Sequence, residues 1–138
     1  MSAMKLAGLF ALTMVAFLAV DAIWLTTATP RLYRPALASL LADKPNLAAA
    51  AVFYAIYVVG VLMLAVIPGV QGGSLSEALW RGAVLGFVAY ATYDLTNLAT
   101  LRDWPIHITL IDLAWGTALT TATAFAGYHA ALWLKITG

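Results

Sequence analysis

Three aspartates fall inside segments that are otherwise apolar enough to cross a membrane: Asp21, Asp94 and Asp112. A lone carboxylate at the centre of a transmembrane helix costs about 2.5–3.5 kcal/mol on insertion scales. Three of them on different helices therefore point to a shared polar site. The chemistry open to such a site is proton transfer, cation binding or hydrogen bonding to a polar ligand. Carboxylates a few ångströms apart in a poorly hydrated pocket cannot all stay ionised. Either protons are shared, a cation is bound, or a basic group pairs with them, and Arg102 and His107 are the nearest basic residues on that side.

The elements that must hold these acids follow from composition. The chain has 138 residues, of which 64% are hydrophobic and only 9% charged. Ordinary soluble domains carry about 25% charged residues, so this chain reads as an integral membrane protein. Its net charge of +1 offers no basic field for nucleic acid. The absence of cysteine excludes disulfides, thiolate metal ligands and thiol redox catalysis. Lys5 followed by an apolar run resembles a signal peptide. The run is too long and lacks a small-residue cleavage site, so it is expected to stay as the first helix.

Four segments are long enough to span about 30 Å of hydrocarbon. They are Met4–Thr27, Leu47–Ile67, Ser76–Ala99 and Ile106–Leu134, with Ser76 expected as an N-cap. Prolines at 30, 45, 68 and 105 are expected to lie outside the helices, as boundaries should. Helices satisfy their own backbone in lipid, and the alternating short strands of a barrel are missing. The expected architecture is a single all-α domain over residues 1–138, an antiparallel bundle of four transmembrane helices. The one long connection, Ala28–Asn46, contains an apolar run at Ala36–Ala42. That run reads as a short interfacial helix or as a lid over a pocket below it.

Four spans put the first and third loops on one side. Trp24, Tyr33 and Trp104 then mark one interfacial belt, and Trp80, Tyr128 and Trp133 the other. The three aspartates fall roughly 8–10 Å inside the face of loops one and three at 1.5 Å rise per residue. On the third helix Gly82, Gly86, Tyr90, Asp94 and Leu98 form an i,i+4 row. Gly82-x-x-x-Gly86 permits close helix contact, within the chain or between copies in a homo-oligomer. On the fourth, Thr109, Asp112, Gly116, Thr120, Thr123 and Gly127 form a small and polar stripe that aims Asp112 inward. The inward direction of Asp21 rests on cost alone. Asp-x-x-Trp occurs at Asp21–Trp24 and at Asp112–Trp115, which reads as chance or local packing rather than a repeat.

The third-to-fourth-helix block is distinctive. Tyr93-Asp94-Leu95-Thr96-Asn97, then Ala99-Thr100-Leu101, Trp104-Pro105, and Asp112 followed by Trp115-Gly116 resemble the bacterial membrane-protein family called domain of unknown function 2177. The likeness extends over essentially the whole chain, including Asp21–Trp24 and the aromatic stretch at Phe53, Tyr54 and Tyr57. It implies a four-helix protein of a bacterial cytoplasmic membrane and names no activity.

Three functional readings stay open. In the first, a one-sided pocket binds or transforms a small molecule or lipid near one leaflet. Asp94, Asp112 and Asp21 would be the acid/base or ligand groups, and His107 would relay protons at the mouth. Tyr54, Tyr57, Tyr90 and Tyr93, with Asn97 and Trp115, would position the substrate. The three aspartates with His107 would also suit Mg²⁺, Mn²⁺ or iron, although no tight ligand spacing such as Glu-x-x-His occurs. In the second, the acids serve a proton-coupled transporter or ion pathway, against which their off-centre depth argues. In the third, they only brace the helices. No nucleotide-binding, nucleophile-triad or thiol motif is present, and no cofactor is indicated.

Overall fold

The computed structural model describes residues 1–137, and these are helical without strands. Four long helices follow one another: α1 (Ala3–Leu37), α2 (Leu47–Gln71), α3 (Leu75–Thr100) and α4 (Ile106–Trp133). By length and composition α1, α2 and α4 could each cross a membrane. α3 matches them in length but carries Glu77, Arg81 and Asp94.

The helix starts have local causes. Side-chain oxygens of Ser2, Asn46 and Ser74 accept from the backbone N–H three residues on, at 3.0–3.1 Å. Each satisfies one of the orphan donors of a helix N-terminus. Ser74, not Ser76, is therefore the cap of α3, and Glu77 completes a Ser-x-x-Glu capping pattern. Glu77 also pairs with Arg81 at 3.0 Å. α4 starts immediately after Pro105, as expected.

Two of the four prolines expected as boundaries lie inside helices. α1 runs through Pro30 by way of a π-helical turn at Thr29–Tyr33 and continues over Arg34–Leu37. α2 runs through Pro68 just after a second π turn, at Leu62–Val66. Proline removes one i→i−4 hydrogen bond and crowds the carbonyl four residues back. Wide π turns beside both prolines relax that ladder without ending the helix. The connection expected at Ala28–Asn46 thus shrinks, and the separate helix expected over Ala36–Ala42 does not form; its first residues belong to the last turn of α1.

The α3–α4 contact is the closest in the molecule. A Cβ on Gly82 would lie 2.8 Å from the Ala124 methyl carbon. One on Gly86 would collide with the Gly116 carbonyl oxygen and the Thr120 side chain, and one on Gly116 with the Tyr90 ring. Each four-residue step forward on α3 is matched by a four-residue step back on α4, so the two helices are antiparallel in tight register. Gly82 and Gly86 are consumed by this contact and do not face a second copy. All six residues of the α4 stripe, Thr109 to Gly127, are buried as expected.

α1 packs on α4, with Thr13 beside Gly127, and α2 closes the ring against α1 and α3. The fully buried core comes largely from Leu9, Phe17, Val58, Val61, Val66 and Leu119. A second cluster, Leu37, Trp104 and Ile108, pins the end of α1 over the α3–α4 turn. Outward, Ile23, Ile56, Met63, Val84, Val88 and Leu110 are each more than half exposed.

Gly86→Val is expected to destabilise the protein by about 1–3 kcal/mol through overpacking. Gly60→Ala, where an added Cβ meets nothing within 4 Å, should leave stability unchanged. Thermal unfolding in detergent compares the two, and equal midpoints would contradict the register described.

Candidate functional site

Near the end of the molecule that carries the α1–α2 and α3–α4 connections lies a cavity of about 360 Å³. Its polar wall comprises Asp21, Tyr33, Tyr54 and Asp112, and its aromatic wall Trp24, Tyr90, Tyr93, Trp104 and Trp115. Every helix contributes. Leu25, Leu41, Ala50 and Phe53 complete an apolar rim.

Hydrogen bonds order the polar wall. The Trp24 indole N–H donates to the Tyr33 hydroxyl at 3.1 Å, and that hydroxyl donates to Asp112 Oδ1. The Tyr54 hydroxyl donates to Asp21 Oδ2 at 3.1 Å. A straight helix separates positions nine apart by about 13.5 Å. The approach of the Trp24 and Tyr33 rings to 6.3 Å therefore depends on both long side chains and on the irregular turn between them. The helix that runs past Pro30 is what carries Tyr33 to Asp112.

Asp94 and Asp112 are neighbours because the α3–α4 register continues past Tyr90 and Gly116. Asp94 is wholly buried, neither of its oxygens has a protein hydrogen-bond donor, and it does not line the cavity. It stands behind Asp112, within its reach. Two carboxylates are acceptors only and cannot satisfy each other, whereas a single proton between them makes one a donor. Asp112 already accepts from Tyr33, whereas Asp94 has no donor in the protein.

Trp24 and Trp115 stack with ring centroids 4.4 Å apart and planes 10° from parallel. The helices that carry them run in opposite directions. The same Asp-x-x-Trp spacing therefore puts the two carboxylates on opposite sides of the stack. Asp21 lies level with the turn after Trp115, about 9 Å deeper than Asp112 at 1.5 Å per residue. The three acids are not at one depth: Asp94 and Asp112 form a pair, and Asp21, buried and bonded to Tyr54, forms a second, deeper station.

Other residues anticipated for the site fall elsewhere. His107 and Arg102 are exposed and off the cavity. Among the described residues the one ion pair is Arg81–Glu77, so no basic side chain neutralises the acids. Tyr57 is buried in the core and bonded to Thr120 at 2.7 Å. Asn97 is half-buried and does not line the cavity. Among the described residues no three His, Cys, Asp or Glu side chains converge as a metal site would require, because His107 is remote and Asp21 is deeper.

Tyr33, Trp24 and Trp104 are the residues expected to mark an interfacial belt. Their rings line the cavity, and Trp104 is buried, with its N–H on Thr109 Oγ1 at 3.0 Å. The doubled Asp-x-x-Trp spacing was the available signal for the stack, and nothing in the sequence signalled Tyr33.

A helical, cysteine-free chain with apolar outer faces and an acid-bearing cavity is a membrane protein by class. Its sequence belongs to the family described as "predicted membrane protein (DUF2177)", whose pattern matches residues 6–129. No curated protein and no solved structure matches the chain.

Two substitutions test this network. Tyr33→Phe removes a hydrogen bond to a charged group and should cost about 1.5–3 kcal/mol, with a change in tryptophan emission as Trp24 loses its acceptor. Asp94→Asn should be tolerated, because its amide N–H replaces the shared proton as donor to Asp112, while Asp94→Ala should cost about 1–3 kcal/mol. Unfolding curves in which Asn is as damaging as Ala would sink the shared-proton arrangement.

Proposed function

We propose that residues 1–138 form a single four-span domain in a bacterial cytoplasmic membrane. We further propose that its cavity is a one-sided site binding an amphiphilic small molecule or a lipid near one leaflet. The observation that carries this reading is a cavity of about 360 Å³ with polar groups on its inner wall and an apolar rim. Such volumes suit small ligands, and a few placed polar groups in an apolar lining set orientation.

α3 is proposed as the fourth span because its outward face is apolar at Val84, Phe87, Val88 and Leu95. Its exposed Thr92, Thr96 and Thr100 donate their hydroxyls back to carbonyls of the same helix, so they present little unsatisfied polarity to lipid. Its glycines lower mean hydropathy without adding polarity.

The cavity mouth supports entry from the side. Leu25 of α1 and Phe53 of α2 are exposed and flank it, and the α1–α2 contact is slight beside that of α3 with α4. The end of α1, with Tyr33 and Leu37 on the cavity wall, acts as the lid. Asp21 and Asp112 are the ligand groups, Asp94 holds a proton behind Asp112, and Tyr33, Tyr54 and Trp115 orient the guest. Deeper than Asp21 the described core holds no buried charge, and its polar groups are threonine and tyrosine hydroxyls. That packing favours a closed-ended site over a through pathway for ions or solutes.

The test is retention of a guest. Protein extracted in mild detergent should carry a bound amphiphile visible by native mass spectrometry. Ala50→Trp, which fills the mouth, should lose it, and Ile56→Trp, on the outward face of the same helix, should keep it. Identical retention in both variants would remove the cavity as the binding site.

A further inference from the structure

The proposed site has a sign. Asp21 and Asp112 line the cavity, and none of its lining residues is basic. Each carboxylate offers about four lone-pair positions, of which Tyr54 fills one on Asp21 and Tyr33 one on Asp112. Both residues are 8% exposed, so their charge is poorly screened by water. Asp94, wholly buried and without a protein donor, backs the Asp112 end.

The walls between the two acids are aromatic. Trp24 and Trp115 stand stacked, with Tyr54 and Tyr90 alongside. Aromatic faces carry negative charge density and attract cations, most strongly when the cation is desolvated, and cages of such rings suit methylated ammonium groups. Buried carboxylates, aromatic walls and an apolar rim are complementary to one kind of guest. Resting on the reading of the cavity as a binding site, we infer that its ligand class is the lipophilic cation: a single-chain amphiphile with an ammonium head between Asp21 and Asp112 and its chain past Leu25 and Phe53. An ammonium head is also supplied by zwitterionic phospholipids. There the adjoining phosphate would face the same carboxylates with no basic residue to receive it, so the free cation is the better match.

The experiment uses the full chain in nonionic micelles. Equilibrium binding of octyltrimethylammonium is compared with its uncharged isostere, in which carbon replaces nitrogen. The cation should bind at least about tenfold more tightly, as expected of a desolvated cation–π and carboxylate site. Asp21→Asn and Asp112→Asn should each reduce that preference, and Ile56→Trp, on the outward face of α2, should leave it unchanged. Short-chain phosphatidylcholine, added as competitor, should displace the cation only weakly. Equal displacement would assign the head group to a phospholipid and overturn the free cation. Equal binding of cation and isostere would overturn the inference about charge while leaving the cavity as a binding site. Failure of both probes to bind a cooperatively folded protein would overturn the binding site as well. A cation preference unchanged in both Asn variants would also overturn the inference, because the carboxylates would then not be its source.

Discussion

The close approach of α3 and α4 is the constraint on which the rest of the molecule depends. Gly82, Gly86 and Gly116 let two backbones meet where any side chain would collide with its neighbour. In a membrane, where apolar side chains gain little by leaving lipid, such close packing is a main source of helix association. The same register also decides chemistry. Carried two turns past Gly86, it sets Asp94 against Asp112, and carried one turn, it sets the Tyr90 ring on Gly116. Opening the glycine seam would therefore separate the acids as well as loosen the core.

Around that seam the polar groups are arranged in two stations. The upper one joins Trp24, Tyr33 and Asp112 in a line of donors and acceptors, with the unpartnered Asp94 behind it. The lower one joins Tyr54 to Asp21. Each buried carboxylate on the cavity wall has a tyrosine donor from another part of the chain. This limits the cost of burial while leaving lone pairs free, since a buried charge is tolerated only with hydrogen-bonding partners. The stacked tryptophans line the cavity between the stations.

The irregular turns matter for the same reason. Had Pro30 ended α1, Tyr33 would belong to a loop, and Asp112 would lack its donor. The π turn lets the helix pass the proline, and Leu37 then anchors its end against Trp104 and Ile108. The segment is thereby tied to the α3–α4 turn while lining the cavity.

Much of this was legible in the residues themselves. Hydropathy and length located the helices to within a few residues, except at the end of α1, which continues to Leu37 past the expected Thr27. The glycine row on α3 and the small polar stripe on α4 aimed Asp94 and Asp112 inward, because both patterns are periodic within one helix. The distinctive block from Tyr93 to Gly116 pointed to the family whose pattern then matched residues 6–129. The depth of Asp21 was not legible: it depends on the stagger between α1 and α4, which the Trp24–Trp115 stack sets and helix ends alone do not. Nor was the inward turn of Trp24, Tyr33 and Trp104, since an amphipathic aromatic ring fits a lipid interface and a cavity wall equally well. Local periodicity is a property of one segment and is written in its sequence. Which carboxylate meets which tyrosine is a property of two segments at a chosen register, and packing alone decides it.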